Sequence, residues 1–347
     1  MDLYFPTELN AAAIRGVRFQ EWNNDEHRFN LLKCTVAIPD FLFLFKSNPN
    51  PPVPAVPFVD LGYFRDRTEN QTFEIIIQAG AIQHEISLND YYAYLATLSQ
   101  EEIMQQRLID NDTEKPDILL SKRFSDGQTW ITRRTGYKVW MEHGAFVVTL
   151  NLACNQNYYY QNADLFYYIL STFKPLYKPE YQLAERLKLV TRRYPVDFAT
   201  YVPMSWHEVH HHNDTMDEMR ACFTKTFKNQ VSGALTINAV SMKQYPTSEA
   251  VLWEYLRPYF DKGFDFNTIR FQEAAVFEGF NTVADSINFT YWSGGNGIQY
   301  NLTFYLAHNS DNWFYVEMFG LAKVQDFDSW AINKRALQLL IQNFKTV

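Results

Sequence analysis

The chain has 347 residues, 47% of them hydrophobic and 20% charged. That balance excludes general disorder, and the length exceeds what one hydrophobic core usually supports, so two domains are expected. A formal net charge of −8 argues against a protein dedicated to DNA or RNA, which would carry a basic field.

The N-terminus, Met1-Asp2-Leu3-Tyr4-Phe5-Pro6, lacks a basic stretch followed by an apolar run. No segment approaches 18 consecutive apolar residues, so a cytoplasmic, soluble protein without a membrane span is expected. Residues 1–27 are polar and mixed and read as a leader packed on the first domain, which spans 28–174. It opens with the apolar stretch Phe29 to Phe45, carrying Ile38-Pro39-Asp40-Phe41. The proline-rich run 47–57 cannot donate to a sheet ladder and predicts an exposed loop. Phe73 to Ile77 is β-branched and strand-like. Ser87, with Asp90 three residues on, predicts a helix start, with Tyr94, Leu95 and Leu98 following. Arg133, Arg134 and Lys138 surround Gly136 in what reads as a hairpin. A strand over Phe146–Ala153 then leads to a helix closing at Phe173.

Residues 175–193 read as a linker broken by Pro175 and Pro179, with Arg186, Lys188, Arg192 and Arg193 on a solvated helix face or a contact strip for an acidic partner. The second domain, 194–347, repeats the grammar. Val202-Pro203-Met204-Ser205-Trp206 is followed by a strand over Leu235–Ala239 and a helix from Pro246-Thr247-Ser248-Glu249. Ile287, Phe289 and Tyr291 alternate with polar neighbours, and the pattern resumes at Tyr300 after Ser293-Gly294-Gly295-Asn296-Gly297, a hairpin signature. The last helix begins near Asp328-Ser329 and places Ile332, Ala336, Leu340 and Phe344 on one stripe. Pro203 follows Pro39 by 164 residues, Val316 follows Val147 by 169 and Phe344 follows Phe173 by 171, so the two halves match in order. Strands in sequence with helices on the faces define an α+β class with two tandem copies, each an antiparallel sheet flanked by helices.

Tyr194 to Trp206, with its P-x-x-W ending, and the strand Tyr315 to Ala322 leading to Ile341-Gln342-Asn343-Phe344 together resemble the PsbP-like fold. That fold also covers DcrB-like bacterial proteins and Mog-type Ran-binding proteins. The resemblance spans 192–347 and, more weakly, 29–174, where Phe41 stands in place of Trp206. It implies binding rather than chemistry: an accessory or interaction protein, with a DcrB-like branch serving type VI secretion as effector chaperones. No binding residue is carried over, because the matched motifs are scaffold.

His207, Glu208, His210, His211, His212 and Asp214 form the one metal-like cluster; on a strand, Glu208, His210 and His212 share a face, with His207 opposite. A polar loop is the competing reading, since a structural site normally draws ligands from two separated places. Cys34, Cys154 and Cys222 are far apart and outside any CxxC pair, which suits cores in a reducing compartment. No catalytic cysteine context or G-x-S-x-G is present, and no cofactor is implied. The 28 Phe, 22 Tyr and 8 Trp serve either large cores or a contact surface. Candidate partner-binding residues are Tyr91, Tyr92, Tyr158, Tyr159, Tyr160, Arg133 and Arg134. The expected function is a non-enzymatic bacterial protein-interaction module: a chaperone, an adaptor, or an immunity protein for a secreted toxin. A small-ligand or metal-binding protein using an inter-domain cleft or the histidine loop is the alternative.

Overall fold

A computed structural model describes residues 3–45, 58–67, 73–109, 115–141, 144–178, 182–193, 197–209, 218–227, 229–262, 272–273, 281–293 and 296–346. The chain divides into two compact units, Met1–Ala184 and Glu185–Val347. Unit 1 runs β1 (Phe19–Asn23), β2 (Cys34–Pro39), β3 (Phe43–Phe45), β4 (Phe58–Arg65), β5 (Phe73–Ile82), α1 (Leu88–Ser99), β6 (Glu102–Leu108), β7 (Pro116–Arg123), β8 (Thr129–Met141), β9 (Gly144–Asn155), α2 (Gln156–Thr172) and β10 (Lys174–Pro175). Unit 2 runs β11 (Leu187–Arg192), β12 (Phe198–Pro203), β13 (His207–Val209), β14 (Glu218–Phe227), β15 (Gln230–Ser241), α3 (Ser248–Leu256), β16 (Gln272–Glu273), β17 (Asn281–Ser293), β18 (Asn296–His308), β19 (Asn312–Leu321), α4 (Phe327–Gln342) and β20 (Lys345–Thr346).

Both units are mixed α+β, and their topologies coincide. Unit 1 has a seven-stranded antiparallel sheet ordered β3-β4-β5-β9-β8-β7-β6, and unit 2 has β13-β14-β15-β19-β18-β17-β16. Each adds a three-stranded sheet, β1-β2-β10 and β11-β12-β20. The segments read as leader and linker therefore contribute β1 and β11; the basic run from Lys188 to Arg192 is a strand paired with β12, not a helix face.

Helix starts follow local chemistry. Ser87 caps α1 by accepting from Asp90 N–H, Thr247 caps α3, and Asp326 caps α4 by accepting from Ser329 N–H, two residues ahead of the expected start. Each large sheet is covered on both faces. In unit 1, α2 closes a core of Ile75, Ile77, Leu150, Leu152, Ile169 and Phe173. In unit 2, α4 closes one of Leu235, Ile237, Phe314, Val316, Leu340 and Phe344, while α3 covers Leu302, Phe304 and Tyr315 on the other face. Among the described residues, no helix is long and apolar enough to cross a membrane.

Two matches between the halves are corrected by register. Val316 packs in the α4 core, whereas Val147 lies outside the α2 core that holds Val148 and Leu150. A one-residue change of register moves a strand residue to the other face, so Val147 and Val316, which pack on different faces, are not partners. Likewise Trp206 N–H donates to Pro203 C=O (3.0 Å), and Leu42 N–H donates to Pro39 C=O (3.0 Å). Leu42, buried like Trp206, is its counterpart; Phe41 is exposed. The hairpin β17–β18 pairs in register from Asn281↔His308 to Ser293↔Asn296, and its Gly294-Gly295 lies outside the described residues, as does the run 46–57.

Candidate functional site

Of the tyrosines proposed as a contact patch, most are interior. Tyr91 and Tyr92 point from α1 into the sheet; the Tyr92 hydroxyl bonds Thr149 Oγ1 (3.1 Å). Tyr159 is buried and donates to Tyr4 C=O (3.0 Å). Tyr158 is half-buried and stacks on Phe73 with centroids 5.7 Å apart. Tyr160 is 38% exposed, the one of the five that presents its ring to solvent.

The basic trio is also interior, because it lies mid-strand in β8 and not in a turn. Arg133 faces α2 and grips Asp117 through Nε and Nη2 (2.9 and 2.7 Å). Arg134 and Lys138 face α1. Arg134 donates to Asn151 Oδ1 (2.6 Å) and Glu101 Oε2 (3.0 Å), and Lys138 donates to Glu85 Oε1 (2.6 Å) and Ile86 C=O (3.1 Å). Burial pushes the Glu101 carboxyl up, but Arg134, Ser99 and Lys122 outweigh it and hold it below the ordinary range. These are buried ion pairs within the scaffold, and the cations have no surface to offer an acidic partner.

Sequence reasoning missed what Arg133 does besides. The segment Leu3–Pro6 is held by four consecutive backbone carbonyls. Gln105 Nε2 donates to Leu3 C=O (3.0 Å), Tyr159 to Tyr4, Arg107 Nη1 to Phe5 C=O (3.2 Å), and Arg133 Nη2 to Pro6 C=O (3.1 Å). The Phe5 ring lies against both guanidinium groups, 4.0 Å from Arg107 and 4.7 Å from Arg133, and Leu3 is buried in the α2 core. This is recognition of an extended peptide, performed within the chain.

The histidine cluster is only partly described. His207 is exposed on β13, Glu208 is ion-paired with Arg192, and His210 and His212 lie outside the described residues. Among the described residues, no three His, Cys, Asp or Glu side chains converge as a metal site. In unit 2 the buried carboxyl of Glu317 accepts from Tyr259 (2.9 Å) and Tyr315 (2.8 Å); burial raises it despite those bonds.

The surface feature that stands out is β3. It ends the seven-stranded sheet of unit 1, so among the described residues no strand lies along its outer backbone edge. Its residues Phe43 and Leu44 are 37% and 59% exposed, on opposite faces, with Phe41 (41%) just ahead. Arg65 and Arg67 stack on Phe45 and Phe43, at 4.2 and 3.8 Å from the ring centroids. Natural edge strands are usually blunted by charge, bulges or proline. Here two consecutive apolar residues, Phe43 and Leu44, are exposed and Phe45 is half-buried, a pattern hidden in sequence because an apolar run reads first as core.

No protein-family model matches the chain, and no curated protein matches it. Among solved structures it is similar to a Bacteroides thetaiotaomicron protein (10% identity, 43% of this chain and 45% of that one, TM-score 0.26), so it spans under half the length of that neighbour. It is similar to the Saccharomyces cerevisiae Ran-binding protein Mog1p (9% identity, 46% and 97%, TM-score 0.32). It is also similar to TplEi, an immunity protein of the Pseudomonas aeruginosa type VI secretion system (10% identity, 96% and 98%, TM-score 0.25). Likenesses this slight carry no conclusion about what the chain binds.

Proposed function

We propose that this chain is a non-enzymatic protein-binding module, built of two PsbP-like units, whose partner docks along the outer edge of β3. The observation that carries the proposal is a sheet edge, unpaired among the described residues, whose side chains Phe43 and Leu44 are apolar and exposed. An added strand would satisfy the edge's backbone groups, and the aromatic rings would select its side chains. Of the roles open from sequence, a chaperone or adaptor that captures an apolar segment fits this edge better than an immunity protein that offers acidic groups. The non-enzymatic part rests on the sequence, which offers no catalytic cysteine context and no G-x-S-x-G, and burial pushes the Cys34 thiol up to about 12, away from use as a nucleophile. A cytoplasmic, secretion-linked setting belongs to the same proposal and rests on the resemblance alone.

The test is affinity capture of the tagged full chain from its own host, beside the double variant Phe43→Asp/Leu44→Asp and the control Val324→Asp at an exposed site remote in sequence. Loss of a central anchor typically costs about 2 kcal/mol or more, which is at least tenfold in affinity. One stoichiometric partner protein, retained by the control and lost from the double variant, is expected. Equal recovery by all three chains would refute docking at β3.

A further inference from the structure

Unit 2 contains an equivalent of the groove that Leu3–Pro6 fills in unit 1, and none of its described residues fills it. Two registers establish the equivalence. Across the sheet, Ile75 pairs with Leu152 and Leu152 with Arg133, while Leu235 pairs with Met318 and Met318 with Thr303. Ile75 and Leu235 each stand 12 residues before the cap of the next helix, Ser87 and Thr247, so Thr303 occupies the place of Arg133. Along the helices, Phe173 and Phe344 are the closing anchors. Tyr159 and Trp330 each precede their anchor by 14 residues, and Tyr167 and Gln338 by 6.

The three unit 1 residues at these positions all act on the bound segment. Tyr159 and Arg133 donate to its carbonyls, and the Tyr167 ring backs the Arg133 guanidinium at 5.1 Å. Their unit 2 counterparts, Trp330, Thr303 and Gln338, all line one cavity of about 230 Å3, with Met318, Gly320 and Asn333 at its floor. The cavity opens because α4 packs on β12, β15 and β19, whereas α2 packs on β2, β8 and β9 and so covers the strand equivalent to β18. Replacing an arginine by a threonine then leaves the space unfilled. Among the described residues of unit 2, which begins at Glu185, none precedes β11 by more than two positions, so none stands where Leu3–Pro6 stands in unit 1.

We propose that this groove binds an extended segment of a partner protein, with one aromatic side chain seated between Trp330 and Gln338. The size fits: an apolar cavity of about 150 Å3 holds benzene, while small-molecule sites usually need at least about 300 Å3. The proposal rests on the protein-binding reading above and adds a second contact, in the other unit.

The test pans phage-displayed linear decapeptides against the intact chain. Enriched peptides are then synthesised with a fluorophore, and Kd is measured by polarisation on the native chain and on Gln338→Trp, Trp330→Ala and Leu44→Asp. Gln338 and Trp330 are partly exposed on α4, and circular dichroism checks that both variants fold. Enrichment of aromatic-containing peptides is expected, with Kd raised at least tenfold by Gln338→Trp and Trp330→Ala and unchanged by Leu44→Asp. Failure to enrich aromatic peptides, or affinities indifferent to both α4 variants, would overturn the proposal. Loss confined to Leu44→Asp would also overturn it while leaving docking at β3 intact. Binding only of a peptide copied from residues 2–9, with dimerisation of the chain that needs those residues, would make the occupant a second copy and overturn the partner assignment.

Discussion

Replacing Arg133 by methionine removes a guanidinium that is fully buried and makes two bonds to Asp117 and one to Pro6 C=O. Breaking a buried pair by deleting one partner typically costs about 3–5 kcal/mol, because the surviving charge is stranded. Asp117 is not wholly stranded here, since Arg107 Nη2 still lies 2.6 Å from its Oδ2. The expected cost is therefore at the low end, about 3 kcal/mol. With a urea m-value of about 2–3 kcal/mol/M, the unfolding midpoint should fall by about 1–1.5 M. Arg133 Nη1 has no hydrogen-bond partner, so the native pair carries an unrecovered desolvation penalty. The double variant Arg133→Met/Asp117→Leu should accordingly be less destabilised than Arg133→Met alone. Limited proteolysis should cut Arg133→Met near Leu3–Pro6 faster than the native chain. A loss below about 1 kcal/mol, or a double variant worse than the sum of its singles, would refute the account of this cluster.

Other outcomes follow from the same interior. Gly136→Ala should destabilise unit 1 by at least about 2 kcal/mol in denaturant melts, because a Cβ there would collide with the Val148 carbonyl as well as the Tyr92 hydroxyl. Adding Tyr92→Phe should not restore it, since the backbone contact remains. Glu101 is depressed in the folded state, so its contribution is present above its unfolded pKa of about 4.3 and lost as pH falls through the lower folded value. Melts between pH 6 and 3 should show Glu101→Gln losing less stability on acidification than the native chain; parallel curves would contradict this. Cys34 and Cys154 are buried with thiols pushed far above neutral pH, so a thiol reagent at pH 8 should label neither until denaturant is added.

Periodicity and capping chemistry made much of the fold legible. Ser87 with Asp90, Thr247 before Ser248, and the stripe from Ile332 to Phe344 acted as their local patterns require. The α+β class followed from the order of strands and helices. Register was not legible: Val147 and Val316 look alike as residues, and the face each occupies is decided by pairing with β5 and β15. Burial of polar residues was the larger failure. Arg133, Arg134 and Lys138 read as a wet turn because charge is normally exposed, and their partners Asp117, Glu101 and Glu85 lie 16, 33 and 53 residues away. No local pattern encodes such a pairing. The tyrosines failed for a related reason, since an aromatic with a hydroxyl suits a core whenever a carbonyl or hydroxyl such as Tyr4 C=O or Thr149 Oγ1 is in reach. Phe43-Leu44-Phe45 was visible as an apolar run, but its place at the end of the sheet came only with the strand order.

The most direct measurement of the protein-binding claim is site-specific photo-cross-linking of the full chain in its own host, with benzoylphenylalanine at position 44 and, as control, at position 324. A single discrete adduct with one other protein at position 44, absent at 324, is the predicted result. No adduct at 44, or the same adducts at both positions, would contradict the claim that β3 is where this protein meets its partner.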